Sequence, residues 1–285
     1  MYILKPKKIL ESKNNLYGLD HELKVLNQFC DLVWSDKWSQ CSKVLRFMPT
    51  LLLYGPPGTG KTSALQNLPL EFNDREIEYY KENLDLMVHK ELGESSKAIE
   101  SLFNEIKERA SCGHNVILHI DDIDSLLSTR YMGNESSGVR RAVNTFITQL
   151  DELVLSDLPK MPIIAATTNM IDQLDSAVKR RFSLKLNFTP ILNNEVLKTI
   201  MEPILEIMNS KLNINYLALE KIVIEKKLTP NDLILAMQNA YLNHLIGISI
   251  DEKDLVKYIS EIESSEKTFQ LQRESFSKLK VVGND

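Results

Sequence analysis

No apolar run in this 285-residue chain approaches the roughly 20 residues that a bilayer-crossing helix needs. Cysteine is scarce. Cys30, Cys41 and Cys112 are an odd, widely spaced set with no CxxC pair, so neither a zinc site nor a disulfide framework is suggested. Free thiols fit a reducing compartment, and the expected location is cytoplasmic. The first ten residues carry lysines without an apolar core or a small-residue cleavage site, so no signal peptide is expected there. A basic excess is missing too: 34 Lys and Arg face 39 Asp and Glu, for a formal charge of -5. A protein that grips DNA by its phosphates usually shows a basic stripe. Here only Lys5, Lys7 and Lys8 cluster, which argues against nucleic acid as a partner. Internal repeats and low-complexity segments are absent.

What is present is ordinary globular material, 43% hydrophobic and 26% charged, long enough to bury a core. Thr50 to Tyr54 is a short apolar run that ends at a Gly-Pro-Pro turn, the profile of a strand buried on both faces of a parallel sheet. Ile77 to Tyr80, Val116 to Ile120, Ile163 to Ala166 and Leu184 to Phe188 fit the same sheet. Helical spacing marks Leu23 to Trp34, with Asp20 placed to cap it, and Thr62 to Asn67, Ser95 to Ala110 and Val139 to Leu155. The helix after the Gly-Pro-Pro turn is expected to stop at Leu68-Pro69. Alternating strands and helices predict a doubly wound α/β layer. After Pro190 the pattern turns helical, with Thr229-Pro230 reading as an N-cap followed by proline at the first helical position. The expected organisation is a lead-in at 1–14, a large α/β domain at 15–189, a small helical domain at 190–266 and a tail at 267–285.

The strongest chemical signal is Gly55-Pro56-Pro57-Gly58-Thr59-Gly60-Lys61-Thr62, a G-x-x-x-x-G-K-[ST] loop set between an apolar strand and a helix. Its glycines let backbone N–H groups curl around phosphate oxygens. Lys61 supplies charge to the β- and γ-phosphates, Thr62 offers a hydroxyl to Mg²⁺, and the positive end of the helix faces the same phosphates. Asp121-Asp122 closes the apolar run from Val116 to Ile120. Asp121 would hold the metal through water, and Asp122 would orient the attacking water. His119, inside that strand, reads as a packed, hydrogen-bonded histidine. Asn169 follows the strand beginning at Ile163, where an amide can reach the γ-phosphate or the water. Arg180 and Arg181 precede the last strand. By composition alone they read as a solvated basic patch or a local salt bridge.

In this order the motifs resemble those of the AAA+ ATPases, in the group that includes katanin and spastin, over roughly residues 15 to 245. Leu16-Tyr17-Gly18-Leu19-Asp20 is similar to the segment that lies over the adenine in that family. Gly93-Glu94-Ser95-Ser96-Lys97, with Leu102-Phe103, resembles the stretch after the first pore loop. Ser137 to Leu150, with Arg140 and Arg141, is similar to the helix of the second region of homology. Asn169 matches the first sensor, and Arg180 with Arg181 matches the arginine-finger pair. The resemblance implies a P-loop sheet of order 5-1-4-3-2, an all-α lid, and a homo-hexameric ring with ATP and Mg²⁺ at each subunit junction. The nucleotide-binding set it implies is Gly18, Leu19, Gly55 to Thr62 and Ser63, with Thr62 and Asp121 toward the metal.

Three departures shape the functional expectation. Asp122 stands where the family usually carries glutamate, one methylene longer, so hydrolysis is expected to be slow. Glu91, in His89-Lys90-Glu91-Leu92-Gly93, stands where the pore loop has an aromatic, which weighs against processive threading of a chain. Leu228 to Leu233 carries no second-sensor arginine, as is usual in the katanin-like group. The leading expectation is an ATP-driven remodeller of a protein partner. The alternative is an ATP-gated assembly switch with slow turnover as a timer, and a DNA-associated loader ranks third because of the acidic charge.

Overall fold

The computed structural model describes residues 6–7, 12–84, 94–124, 137–208 and 212–271. Five short runs build one sheet: β1 (Thr50–Tyr54), β2 (Ile77–Glu82), β3 (Asn115–Ile120), β4 (Ile163–Thr168) and β5 (Leu184–Asn187). Every pairing among them is parallel, in the order β2-β3-β4-β1-β5, which read from the other edge is the expected 5-1-4-3-2. Helices cover both faces of such a sheet, so its central strands need no polar side. β4 is accordingly buried along its whole length, and β3 from Val116 to Ile120.

Two strands run beyond the apolar signal. β2 continues through Lys81 and Glu82, opposite His119 and Ile120, and β4 continues through Thr167 and Thr168, opposite Leu53 and Tyr54. Ladder hydrogen bonds use the backbone, so a polar side chain does not end a strand. β5 stops at Asn187, one residue before the expected end.

Contacts divide the chain into two units. The first comprises Met1–Asn15, His21–Gly55 and Lys61–Asn187. It holds the sheet and the helices α1 (Asp20–Val33), α2 (Trp38–Leu45), α3 (Lys61–Glu71), α4 (Glu94–Ser111), α5 (Ser137–Leu155) and α6 (Ser176–Lys179). α1 starts at Asp20 itself, so that residue lies in the first turn rather than capping it. α2 had no signal in the sequence because it buries only Trp38, whose ring stands edge-on to Phe29 at 6.5 Å. α3 runs through Pro69 to Glu71, past the expected stop. Pro69 gives no N–H to the preceding turn, but Leu65, Leu68 and Pro69 are buried, and the Phe72 N–H resumes the ladder at Leu68 O, 3.4 Å away. Packing here outweighs one lost hydrogen bond. α4 and α5 meet through Phe103 and Phe146, fully buried with ring centroids 5.8 Å apart. Each such side chain stabilises the fold by about 1.5–3 kcal/mol.

The second unit comprises Leu16–Asp20, Pro56–Gly60 and Phe188–Asp285. Its helices are α7 (Asn194–Ile207), α8 (Tyr216–Lys226), α9 (Pro230–Leu245) and α10 (Glu252–Glu261). Each begins at a side-chain cap that satisfies an orphan N–H: Asn193, Asn215, Thr229 and Asp251. Thr229 forms a capping box with Asp232, followed by Pro230. Leu197, Met201, Leu219, Leu233, Met237 and Ile259 lie at the centre of this helical core. Among the described residues no helix is long and apolar enough to cross a membrane.

Candidate functional site

β1 is buried from Thr50 to Leu53 and delivers the chain to the glycine-rich loop. Gly55, Gly58 and Gly60 all have positive φ. Gly58, at φ +75, also has no room for a side chain, since a Cβ there would stand 2.9 Å from Thr229 Oγ1 and 3.0 Å from Asn231 Cβ. Gly18 is tighter still: its Cβ would sit 2.3 Å from the carbonyl oxygen of Ile191, whose N–H donates to Gly18 O at 2.9 Å. Leu19 is buried beside it. Thr59 is buried and donates to Pro56 O at 3.0 Å, bracing the loop from within.

α3 opens with Lys61, Thr62 and Ser63. Lys61 is buried and turns back to donate to Gly55 O at 2.9 Å. Burial pushes its amine down to about 8, against the pull of Asp122, Asp124 and Asp121. An anion bound beside it would favour its charged form and raise that value.

Asp121 lies one residue past β3, where its N–H extends the sheet by donating to Glu82 O at 2.9 Å. Its Oδ1 accepts from Thr62 Oγ1 at 3.0 Å and from Thr167 Oγ1 at 2.7 Å. Its Oδ2 pairs with Lys81 Nζ at 2.6 Å. Behind it, His119 is fully buried, with Nε2 3.3 Å from Asp121 Oδ1 but short of hydrogen-bond geometry, and Nδ1 2.6 Å from the Tyr79 hydroxyl. Burial keeps this imidazole neutral. With Nε2–H toward the carboxylate, Nδ1 accepts from Tyr79. Burial pushes the Asp121 carboxyl up, but His119, Lys81 and Thr167 outweigh it and hold the group well below the usual carboxylate range.

Asp122 has φ +47, a left-handed position that aspartate tolerates better than most residues. Its N–H donates to Thr167 Oγ1 at 3.1 Å, and its Oδ1 accepts from Asn169 Nδ2 at 3.4 Å. Burial, then the charges of Asp121 and Asp124, push its carboxyl up, while Lys61 and Lys81 pull it down. A carboxylate raised in this way is suited to taking a proton. β4 thus supplies Thr167 and Asn169 on one strand end, and β3 supplies both aspartates.

The two arginines part company. Arg181 is tied within its own chain: Nε and Nη2 donate to the two oxygens of Asp151 at 3.1 and 3.0 Å, and Nη1 donates to Ala177 O at 3.0 Å. Arg180 is exposed. Asp175 caps α6 beneath them, accepting from the Ala177 N–H at 2.6 Å. Arg140 and Arg141 are exposed on α5. Glu91 and the rest of 85–93 lie outside the described residues.

The donor set fits magnesium. Thr62 Oγ1 and an Asp121 carboxylate 3.0 Å apart are hard oxygen ligands, and Mg²⁺ takes one or two of these while keeping water and phosphate oxygens. Among the described residues no group of three His, Cys, Asp or Glu could hold a metal alone. Sequence reasoning missed Lys81, Thr167 and Asp151. Thr167 could have been found two residues before Asn169, but Lys81 and Asp151 carry no local signal.

Residues 51–190 match the profile of the ATPase family associated with various cellular activities (AAA). Fidgetin-like protein 1 of Drosophila melanogaster is 30% identical over 164 residues, 58% of this chain and 29% of its own length. Protein SUPPRESSOR OF K(+) TRANSPORT GROWTH DEFECT 1 of Arabidopsis thaliana is 34% identical over 135 residues, 47% of this chain and 29% of its own length. An AAA ATPase forming ring-shaped complexes, from Bifidobacterium animalis subsp. lactis (strain AD011), is 35% identical over 183 residues, 62% of this chain and 34% of its own length. The chain therefore spans about a third of the length of these curated relatives. One chain of the E. coli MS115-1 HORMA:CdnC:Trip13 complex superposes with a TM-score of 0.71 at 22% identity, over 87% of this chain and 90% of that one, a likeness of fold. Residues 51–190, carried on the five-stranded P-loop sheet, are thus an AAA ATPase domain, similar to that of the katanin and spastin group.

Proposed function

We propose that this chain binds ATP with Mg²⁺ and hydrolyses it slowly at the subunit junctions of a ring, most simply a homo-hexamer, to remodel or disassemble a protein partner. The observation that carries the reading is the meeting of Thr62 with Asp121 at 3.0 Å, with Asp122 and Asn169 alongside. Gly55 to Gly60 give backbone donors to the phosphates, Lys61 moves from Gly55 O to the β- and γ-phosphates, and Ser63 extends the polar start of the helix. Gly18 and Leu19 are assigned to the adenine. Magnesium, when bound through Thr62 and Asp121, neutralises charge on the phosphate oxygens. Asp122 accepts a proton from the attacking water, and Asn169 fixes that carboxylate and the water. Arg180 reaches the γ-phosphate of the neighbouring subunit, and Arg181, braced by Asp151, holds the short helix that presents it.

A second reading, the ATP-gated assembly switch, gains support from the 3.4 Å separation of Asn169 and Asp122, which leaves the water loosely held. A DNA-associated loader fits the charge of -5 least well. The name of the Bifidobacterium relative supports a ring. Calorimetry with ATP and Mg²⁺, alongside light scattering, tests the proposal. Binding lost in Lys61→Ala and oligomer growth on adding nucleotide are expected. A wild-type chain without affinity for adenine nucleotides refutes it.

A further inference from the structure

Lys81 is a cation at this site that the nucleotide reading does not use. It sits on β2, the edge strand of the sheet, in register with His119 of β3. That register brings Lys81 Nζ to 2.6 Å from Asp121 Oδ2. The other oxygen, Oδ1, already accepts from Thr62 at 3.0 Å and Thr167 at 2.7 Å. Both oxygens of the carboxylate assigned to the metal are therefore engaged, and the second of them by a full positive charge. A lysine ammonium is a compact point charge on a flexible stem. This one is 29% exposed, so it has a path to water.

We infer that Lys81 is a built-in counter-cation that sets how strongly nucleotide binding depends on magnesium. The inference rests on the nucleotide reading above. Without a divalent ion, Lys81 neutralises Asp121 and keeps the carboxylate oriented toward Thr62. Loading of the ion onto Thr62 and Asp121 places a second cation beside the same carboxylate. Like charges this close in a half-buried site repel strongly, so a divalent ion held by Thr62 and Asp121, directly or through water, would compete with Lys81 for that carboxylate. The ion's affinity is reduced by the cost of that exchange. Metal-free nucleotide gains from the same lysine, because its positive charge lies next to the phosphate-binding residues. Lys81 thus narrows the gap between metal-free and metal-loaded nucleotide. It is a positioning residue and takes no part in the bond-breaking step.

The test is calorimetry on the full chain with the non-hydrolysable analogue AMP-PNP, once in EDTA and once with saturating Mg²⁺. The quantity read is the ratio of the two dissociation constants. Lys81→Gln is expected to enlarge that ratio about tenfold or more, by weakening binding in EDTA and strengthening it with Mg²⁺. Lys81→Arg, which keeps the charge, is expected to stay within about threefold of wild type. In an Asp121→Asn background, Lys81→Gln is expected to enlarge the ratio clearly less than in wild type, because the exchange at Oδ2 has gone and only the attraction of the lysine to the phosphates remains. A ratio in Lys81→Gln equal to or smaller than that of wild type overturns the inference while leaving the nucleotide reading intact. A wild type that binds the analogue in neither condition overturns both.

Discussion

Replacing Asp122 by glutamate raises ATP turnover while lowering stability, and the two effects have separate origins. Asp122 Oδ1 is 3.4 Å from Asn169 Nδ2, at the long limit of a hydrogen bond. The carboxylate therefore falls short of the amide that must help it hold the water. One methylene extends its reach by about 1 Å, and a misplacement near 1 Å costs on the order of a hundredfold in rate. The expected gain is a rise of roughly tenfold to a hundredfold in kcat, with KM within about threefold, since the contacts to the phosphates are untouched. The stability loss comes from the backbone: at φ +47 aspartate is tolerated and glutamate is strained by about 1 kcal/mol. That corresponds to a fall in Tm of roughly 2–4 °C. Phosphate release at saturating MgATP on the assembled protein reads the first effect, and a thermal melt without nucleotide reads the second. A kcat that stays level or drops, with nucleotide affinity intact, refutes the idea that the reach of Asp122 limits the proposed hydrolysis.

Arg180→Ala is expected to leave the melt of the isolated chain unchanged and to cut turnover of the assembled oligomer by about a thousandfold or more. Arg181→Ala loses the bidentate pair with Asp151, half-exposed on the acid side, and is expected to cost at most about 1 kcal/mol of stability; equal turnover losses with equal melts would contradict the division between the two arginines. Nucleotide affinity is expected to be level below about pH 8 and to fall by up to tenfold per pH unit above it, since free Lys61 gives up its proton near 8 and the phosphates hold that proton on. The sign for the unliganded fold is opposite: the depressed pKa of Lys61 makes stability increase as pH rises from about 8 toward its ordinary 10.5. Proton uptake on binding at pH 9, from calorimetry in two buffers of different ionisation enthalpy, checks this, and no uptake there refutes it. Thr229→Ala removes the cap of α9 and leaves Asp232 N–H without its acceptor, a loss of about 1 kcal/mol in a thermal melt that Thr229→Ser restores.

The P-loop was legible from residues alone because its pattern is local. Glycines at fixed offsets, followed by Lys61 and Thr62, are the conditions for backbone donors to surround a phosphate, and their sequence spacing is their spatial spacing. The buried strands were legible for a related reason: a parallel sheet covered on both faces requires apolar side chains in succession, as in Leu51 to Leu53 and Ile163 to Ala166. Thr229-Pro230 announced its helix in the same local way. Asn169 was assigned from its place after the other two motifs, whereas the arginines needed the family resemblance, since a basic pair has many ordinary uses.

The tertiary structure alone decided which partners those residues take. Lys81 and Asp121 are 40 positions apart, and only the register of β2 against β3 joins them. Arg181 meets Asp151 across 30 residues, which separates two neighbouring arginines that read alike in the chain. α3 continues past Pro69 because the burial of Leu65 and Leu68 outweighs the missing N–H. In each case the deciding energy is a contact between distant segments, and a contact of that kind exists only once the strands are paired and the helices are packed.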